Sequence, residues 1–260
     1  MNILHPNVPI LTVAQALMMS SNSLIVATAA LVGYNLAEDK SLATLPLAVQ
    51  FIAVMCTSIP AAMLMEKIGR KPAFLVACLF GIGGGALTSI GIMQREFWIF
   101  VAGTTLIGIF NGFGNYYRFT AADSVAVPYK GKAVSYMMLG GVVAAVAGPT
   151  LARNSREWVD SAEFAGSYMM LMLLYGASFI VLSFLKIEQK PGGSNDTEEP
   201  SRPLSEIIRQ PDYMVALICG MFGYAIMSFV MTATPLAMDQ ASFLFDDTSI
   251  VIQWHVMAMF

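Results

Sequence analysis

An all-α polytopic membrane protein is the fold class this chain predicts, and three observations predict it. Of its 260 residues 57% are hydrophobic and only 12% charged, whereas a soluble domain carries about 25% charged residues. So little charge leaves too few polar side chains to coat a water-soluble globule. The apolar residues also gather into runs of about 20 or more, the length a helix needs to cross a bilayer with its backbone groups satisfied internally. Alternating segments of about ten residues, the mark of a transmembrane β-barrel, are absent. The net charge of −3, from 14 Lys+Arg against 17 Asp+Glu, leaves no basic field for nucleic acid. The lipid bilayer is the partner that this composition implies.

In chain order the predicted spans are Val8–Leu36, Leu42–Met65, Pro72–Met93, Phe97–Thr120, Ala133–Leu151, Ala165–Leu185 and Tyr213–Leu236. An eighth is expected to begin near Gln253. The first run lacks a basic leader and is too long for a signal-peptide core, so it reads as a retained span. With the N-terminus inside, ten Lys and Arg fall at inner edges (Lys67, Arg70, Lys71, Arg118, Lys130, Lys132, Lys186, Lys190, Arg202, Arg209). Four fall at outer edges (Lys40, Arg95, Arg153, Arg156), which is the positive-inside bias. Asp239, Asp246 and Asp247 then stand in the outer loop after the seventh span. Compact loops and brief tails point to a bacterial inner membrane.

Between spans six and seven, Pro, Gly, Ser and acidic residues around PGGSNDTEEPSRP make a flexible inner linker. Leu204–Arg209 reads as a short surface helix, and the Asn195–Thr197 acceptor triplet as chance on that side. The chain therefore divides into a bundle of six helices (1–189), a linker (190–210) and the start of a second bundle (211–260).

Polar side chains inside a span are costly unless they pair or line a wet cavity, so each is a candidate for function. Thr104, Gly108, Asn111, Asn115 and Arg118 recur at three- and four-residue steps on one face of span four. Asn111 and Asn115 lie deep enough to hydrogen-bond a solute, and helix-to-helix bonding suits them equally. Arg118 falls near the inner surface, where snorkelling to the headgroups accounts for it. Gln15 and Asn22 are seven apart on one face of span one, Gln50 is the lone deep amide of span two, and Tyr224, Ser228 and Thr232 repeat at i+4 in span seven. Serines and threonines in spans also bond to their own backbone.

Gly140, Ala144, Gly148 and Pro149 form a stripe of small residues in span five that lets another helix approach closely. Gly81 and Gly85 make a similar notch in span three, although Gly81–Ala86 mimics a dinucleotide fingerprint. Cys56, Cys78 and Cys219 read as small core residues, and the 19 methionines as soft packing. His5 and His255 are too isolated for a metal site. No metal or cofactor is expected.

The loop between spans two and three reads Ala62-Met-Leu-Met-Glu-Lys-Ile-Gly-Arg-Lys71. It resembles the major facilitator superfamily signature G-x-L-a-D-r-x-G-r-k, with Ala62 for the first Gly and Glu66 for the Asp. The span-five stripe is similar to that family's Gly-Pro motif of antiporters, although Thr150 and Leu151 replace two later glycines. The approach to span seven, Leu204–Tyr213, looks like the junction where the second half of such transporters begins.

The resemblance implies a fold of two six-helix halves, of which this chain holds the first, span seven and the start of span eight. It implies that a missing second half is needed for function. It implies a cavity lined by spans one, four and seven, which makes Gln15, Asn22, Gln50, Asn111, Asn115, Tyr224 and Ser228 the substrate-binding candidates. It also implies a conformational latch of Glu66, Gly69, Arg70, Lys71 and Asp123, in which Arg70 pairs with Asp123 and the cluster holds the outward-open state against the opposite half. The expected function is secondary transport of a small solute by alternating access, either metabolite uptake or drug-like efflux. A coupling proton or ion is compatible with it, but no deep Asp, Glu or Lys stands in these spans to carry one. A non-transporting sensor or assembly protein is the alternative. A membrane enzyme would need a His/Asp/Glu cluster or an activated nucleophile, and the sequence displays neither.

Overall fold

The computed structural model describes residues 6–187, 206 and 208–259, and regular structure among them is helical throughout. The helices are α1 (Asn7–Leu36), α2 (Leu45–Ile68), α3 (Arg70–Gln94), α4 (Phe97–Gly114), α5 (Tyr117–Asp123), α6 (Lys130–Ser155), α7 (Ala165–Ser183), α8 (Pro211–Gln240) and α9 (Phe245–Met259). Short 3-10 turns at Lys40–Leu42 and Val127–Tyr129 precede α2 and α6. Seven segments are long and apolar enough to cross a membrane, the number expected. His5, Lys190, Arg202, the Asn195–Thr197 triplet and most of the 190–210 linker, including parts of the Leu204–Arg209 segment, lie outside the described residues.

Successive spans run antiparallel, so the bundle has an Arg70 end and an Arg156 end. Helices pack through small residues, because lipid tails offer apolar side chains no incentive to leave them. A Cβ built on Gly148 of α6 would stand 2.6 Å from Ser23 Cβ and 2.7 Å from the Ser20 carbonyl of α1. Gly140 meets Thr12 and Ala16 of α1 in the same way. The span-five stripe is thus the seat of α1. The glycine notch of α3 works likewise, Gly81 facing Tyr175 and Phe110 and Gly85 facing Met172. Gly69 joins α2 to α3 at φ 91°, a backbone conformation that a side chain resists.

The core of α1–α7 is continuous, from Phe74 and Tyr117 through Phe110 and Tyr175 to Phe100 and Tyr168. α8 and α9 dock on it through a second cluster, Met231, Ile252 and Val256 against Ala27 and Ala145. Ser249 Oγ donates to the Pro149 carbonyl at 3.0 Å. At the Arg156 end the Phe164 and Phe245 rings meet edge-on at 5.0 Å. The Arg156 guanidinium lies over both rings and pairs with Glu163 at 2.8 Å. Toward the Arg70 end α8 stands away, with residues 211–226 exposed.

Four expectations need correction. Span four is two helices, α4 and α5, stepped at Asn115–Tyr116. Gly112 and Gly114 weaken the helix there, and Gly114 leaves room for Met18. The eighth helix starts at Phe245, because Asp246 and Asp247 occupy its first turn, where the helix dipole favours them. The loop after the seventh span is accordingly short, and Asp239 belongs to α8. Span five does not end at Leu151, since its helix continues to Ser155. Of the cysteines only Cys78 is buried, while Cys56 and Cys219 are exposed and so are not core residues.

Candidate substrate-binding cavity

A cavity of about 340 Å³ lies between α1, α2, α4, α5, α6, α8 and α9. That is within the usual range for small-molecule sites, about 300–1,000 Å³. All seven binding candidates, Gln15, Asn22, Gln50, Asn111, Asn115, Tyr224 and Ser228, stand in its wall. Helical spacing explains the convergence: Gln15 and Asn22 share a face of α1, Asn111 and Asn115 one of α4, and Tyr224, Ser228 and Thr232 one of α8.

Asn22 is the hub. Its Oδ1 accepts from Asn111 Nδ2 at 2.7 Å and, at a longer 3.5 Å, from Gln50 Nε2. Three helices are therefore tied by one amide oxygen. Each bond commits one of the two N–H groups of the Asn111 and Gln50 amides, and the oxygens Asn111 Oδ1 and Gln50 Oε1 are buried without partners. Gln15 Oε1, Ser23 Oγ and Ser228 Oγ are also buried and unpartnered. Gln15, Gln50 and Asn111 are at most 5% exposed. A buried polar atom left unpaired costs about 1–3 kcal/mol, and five of them cluster in the side chains around this one cavity.

The rest of the wall is apolar and soft. Met18 and Met19 alternate with the amides of α1, Met227 and Met231 with the polar side chains of α8, and Met259 closes in from α9. Phe51 and Tyr224 meet edge-on at 6.2 Å across α2 and α8. These methionines were missed as site residues, although the signal was present: Gln15, Met18, Met19 and Asn22 keep i, i+3, i+4, i+7 spacing. Ala144, assigned only to the packing stripe, also lines the cavity. Arg118 is another correction. It is exposed, and it lines the cavity on the face it shares with Asn111 and Asn115, with no hydrogen bond or ion pair holding it.

At the Arg70 end, Arg70 Nη2 pairs with Asp123 Oδ2 at 2.7 Å, and Lys130 Nζ lies 3.7 Å from Asp123 Oδ1. Lys71 Nζ donates to the Ser183 carbonyl at 2.6 Å, tying α3 to the end of α7. Gly69 makes the turn that presents both bases. Glu66 is exposed and takes no part in these bonds. Among the described residues the cluster touches neither α8 nor α9, so the contact expected across to the opposite half is not made in this conformation.

A family model described as the Major Facilitator Superfamily matches residues 11–258. The chain is 37% identical over 257 residues to a Brucella anthropi protein named riboflavin transporter RfnT, an alignment covering 98% of this chain. The chain spans 64% of the length of that curated relative. With a family match along nearly its whole length, seven membrane-crossing helices and the basic turn at Gly69, this chain is an integral membrane protein of the major facilitator superfamily.

Proposed function

We propose that the chain forms the solute-binding part of a secondary transporter that works by alternating access, and that its solute is a flavin of the riboflavin type. The observation that carries this reading is the convergence of seven polar side chains from four helices on one cavity whose remaining wall is methionine and aromatic. Soft sulfur and aromatic groups suit the faces of a planar ring, while the amides suit its polar substituents. No carboxylate lines the cavity, and Arg118 is its one charged side chain among the described residues. A neutral solute fits that wall. The likeness to a protein named riboflavin transporter supports the flavin class.

In this reading residues 1–189 are one six-helix bundle, 190–210 a linker and 211–260 the start of a second bundle. The separate small cluster through which α8 and α9 dock supports that division. The Arg70 end is cytoplasmic, in a bacterial inner membrane, and the basic residues gathered there support it. Packing of α8 and α9 against α1 and α6 at the opposite end, with α8 standing away at the Arg70 end, fits an inward-facing conformation. Arg70, Lys71 and Asp123, presented by Gly69, then await the second bundle and act as a latch when it swings back, with Glu66 as their acidic neighbour.

Uptake of labelled riboflavin by cells producing the full-length protein tests the substrate. Saturable uptake above the empty-vector control is expected, and its absence rejects the flavin assignment. For the latch, Arg70→Ala is expected to lower uptake and to change cysteine-labelling accessibility at the Arg156 end. If neither changes, the latch assignment fails.

A further inference from the structure

We propose that Asn115 and Arg118 form the subsite that determines which solute is taken, and that they read an imide edge on it, two adjacent acceptors beside an N–H. The inference deepens the flavin reading and rests on it for the choice of solute. Its basis is which side chains of the cavity wall are engaged and which are free. On the face that Asn111, Asn115 and Arg118 share, Asn111 is only 5% exposed and donates to Asn22, so it ties helices together. Asn115 is half-buried and its amide makes no hydrogen bond. Arg118, one turn further on, is exposed and makes neither hydrogen bond nor ion pair. Both keep their polar atoms within reach of a ligand. Elsewhere at that end, Arg70 and Lys130 face Asp123, and Lys71 bonds to the Ser183 carbonyl. No carboxylate pairs with Arg118, and among the described residues none lines the cavity. A cation inside a membrane-crossing segment that also lines a cavity marks a solute path. The guanidinium is a rigid fork that forms two parallel N–H bonds to adjacent acceptors. The Asn115 amide supplies an acceptor oxygen beside it. The dione edge of riboflavin sets a ring nitrogen and a carbonyl oxygen side by side, with the imide N–H next to the carbonyl. The fork takes the two acceptors and the Asn115 oxygen takes the N–H. This match requires no negative charge on the solute.

The test compares riboflavin with 3-methylriboflavin, in which a methyl group replaces the imide proton, as inhibitors of labelled riboflavin uptake by the full-length protein. In the wild type the methylated analogue is expected to inhibit at least about tenfold less well. Asn115→Ala is expected to weaken riboflavin about tenfold and to leave 3-methylriboflavin unchanged, which closes the gap. Arg118→Met is expected to weaken riboflavin about tenfold, and Arg118→Lys by as much, because an ammonium keeps the charge and lacks the fork. Equal inhibition by the two ligands in the wild type, or a gap that survives Asn115→Ala, overturns the proposal. Unchanged riboflavin affinity in Arg118→Met also overturns it and returns Arg118 to snorkelling. Full affinity in Arg118→Lys overturns it too, since charge alone then suffices. If the wild type moves no flavin, the flavin reading has failed, and lumazine, a smaller ring with the same edge, decides the subsite. Support is a rise in the melting temperature of the purified wild type with lumazine that 3-methyllumazine does not give and the Asn115→Ala/Arg118→Met double variant lacks. No rise, or the same rise with the methylated ligand or in the variant, overturns it.

Discussion

α1 and α8 are both 30 residues long and occupy opposite surroundings. In the membrane-crossing window of α1 67% of residues are buried at a mean hydropathy of 1.6, and in that of α8 only 6% at 2.1. The more apolar helix is the more exposed. α8 opens the second bundle of the proposed fold, of which this chain, at 64% of its curated relative's length, carries only the first part. In a bilayer Leu and Ile gain nothing by leaving lipid tails, and helices gather through small residues and hydrogen bonds. α1 is rich in both, burying Ala14, Ser20, Ser21, Ala27, Thr28 and Ala30 along its length. α8 presents Ile218, Phe222, Ile226 and Phe229 outward and touches the bundle chiefly through Met231 and Pro235.

If this contrast is right, the largest effects come from the seat of α1. Gly148→Val places methyl groups where the Ser20 carbonyl and Ser23 already stand. Overpacking of this kind costs about 1–3 kcal/mol or more, and neither backbone can easily give way. Thermal unfolding of the detergent-solubilised full-length protein measures it, and a wild-type melting temperature would break the comparison.

Asn22→Leu comes next. It deprives Asn111 Nδ2 and Gln50 Nε2 of their acceptor, a cost of about 1–3 kcal/mol for a buried donor left unpaired. Because the same oxygen orients both amides, the proposed solute uptake by the full-length protein should fall by about tenfold or more. Loss of uptake with an unchanged melting temperature would sharpen the role of Asn22 from packing to recognition.

On α8, Ile226→Leu exchanges one exposed apolar side chain for another of the same size and should move stability by no more than about 0.5 kcal/mol. A cost matching that of Gly148→Val would show that α8 is held as tightly as α1.

The smallest effect lies outside the spans. The Asp39 carboxylate accepts from the Ser41 N–H at 2.9 Å, which lowers its pKa below the ordinary value. A lowered folded pKa means that the contribution is present above the unfolded value and lost as pH falls through the folded one. Protection of the Ser41 amide, measured as its exchange rate relative to the intrinsic rate at each pH, should therefore fall at acid pH, and Asp39→Asn should abolish that dependence.

Much of this was legible along the chain. Hydropathy set the seven spans, and i, i+4 and i+7 spacing placed Gln15 with Asn22, Asn111 with Asn115, and Tyr224 with Ser228. The glycine at 69 and the bases beside it announced their turn. Less legible were the breaks and extensions that depend on neighbours. The α4–α5 step needs Met18 from another helix to fill the space at Gly114. Arg118 shares the face of Asn111 and Asn115 in the spacing, but its charge and its place near the inner surface suit snorkelling equally, and only the packed helices bring it to the cavity wall. The methionines of α1 and α8 kept the same spacing as the polar residues, yet their apolar chemistry made them look like ordinary packing.

Local pattern alone thus determined that the chain lives in a bilayer, how often it crosses and which residues share a helical face, because burying backbone in hydrocarbon forces helices of a given length. Which faces meet, which amide oxygen is shared and which polar side chains line one cavity were decided only when α1, α2, α4 and α8 came together. A hydrogen bond across 89 residues, such as that between Asn22 and Asn111, depends on tertiary packing that no stretch of sequence encodes by itself.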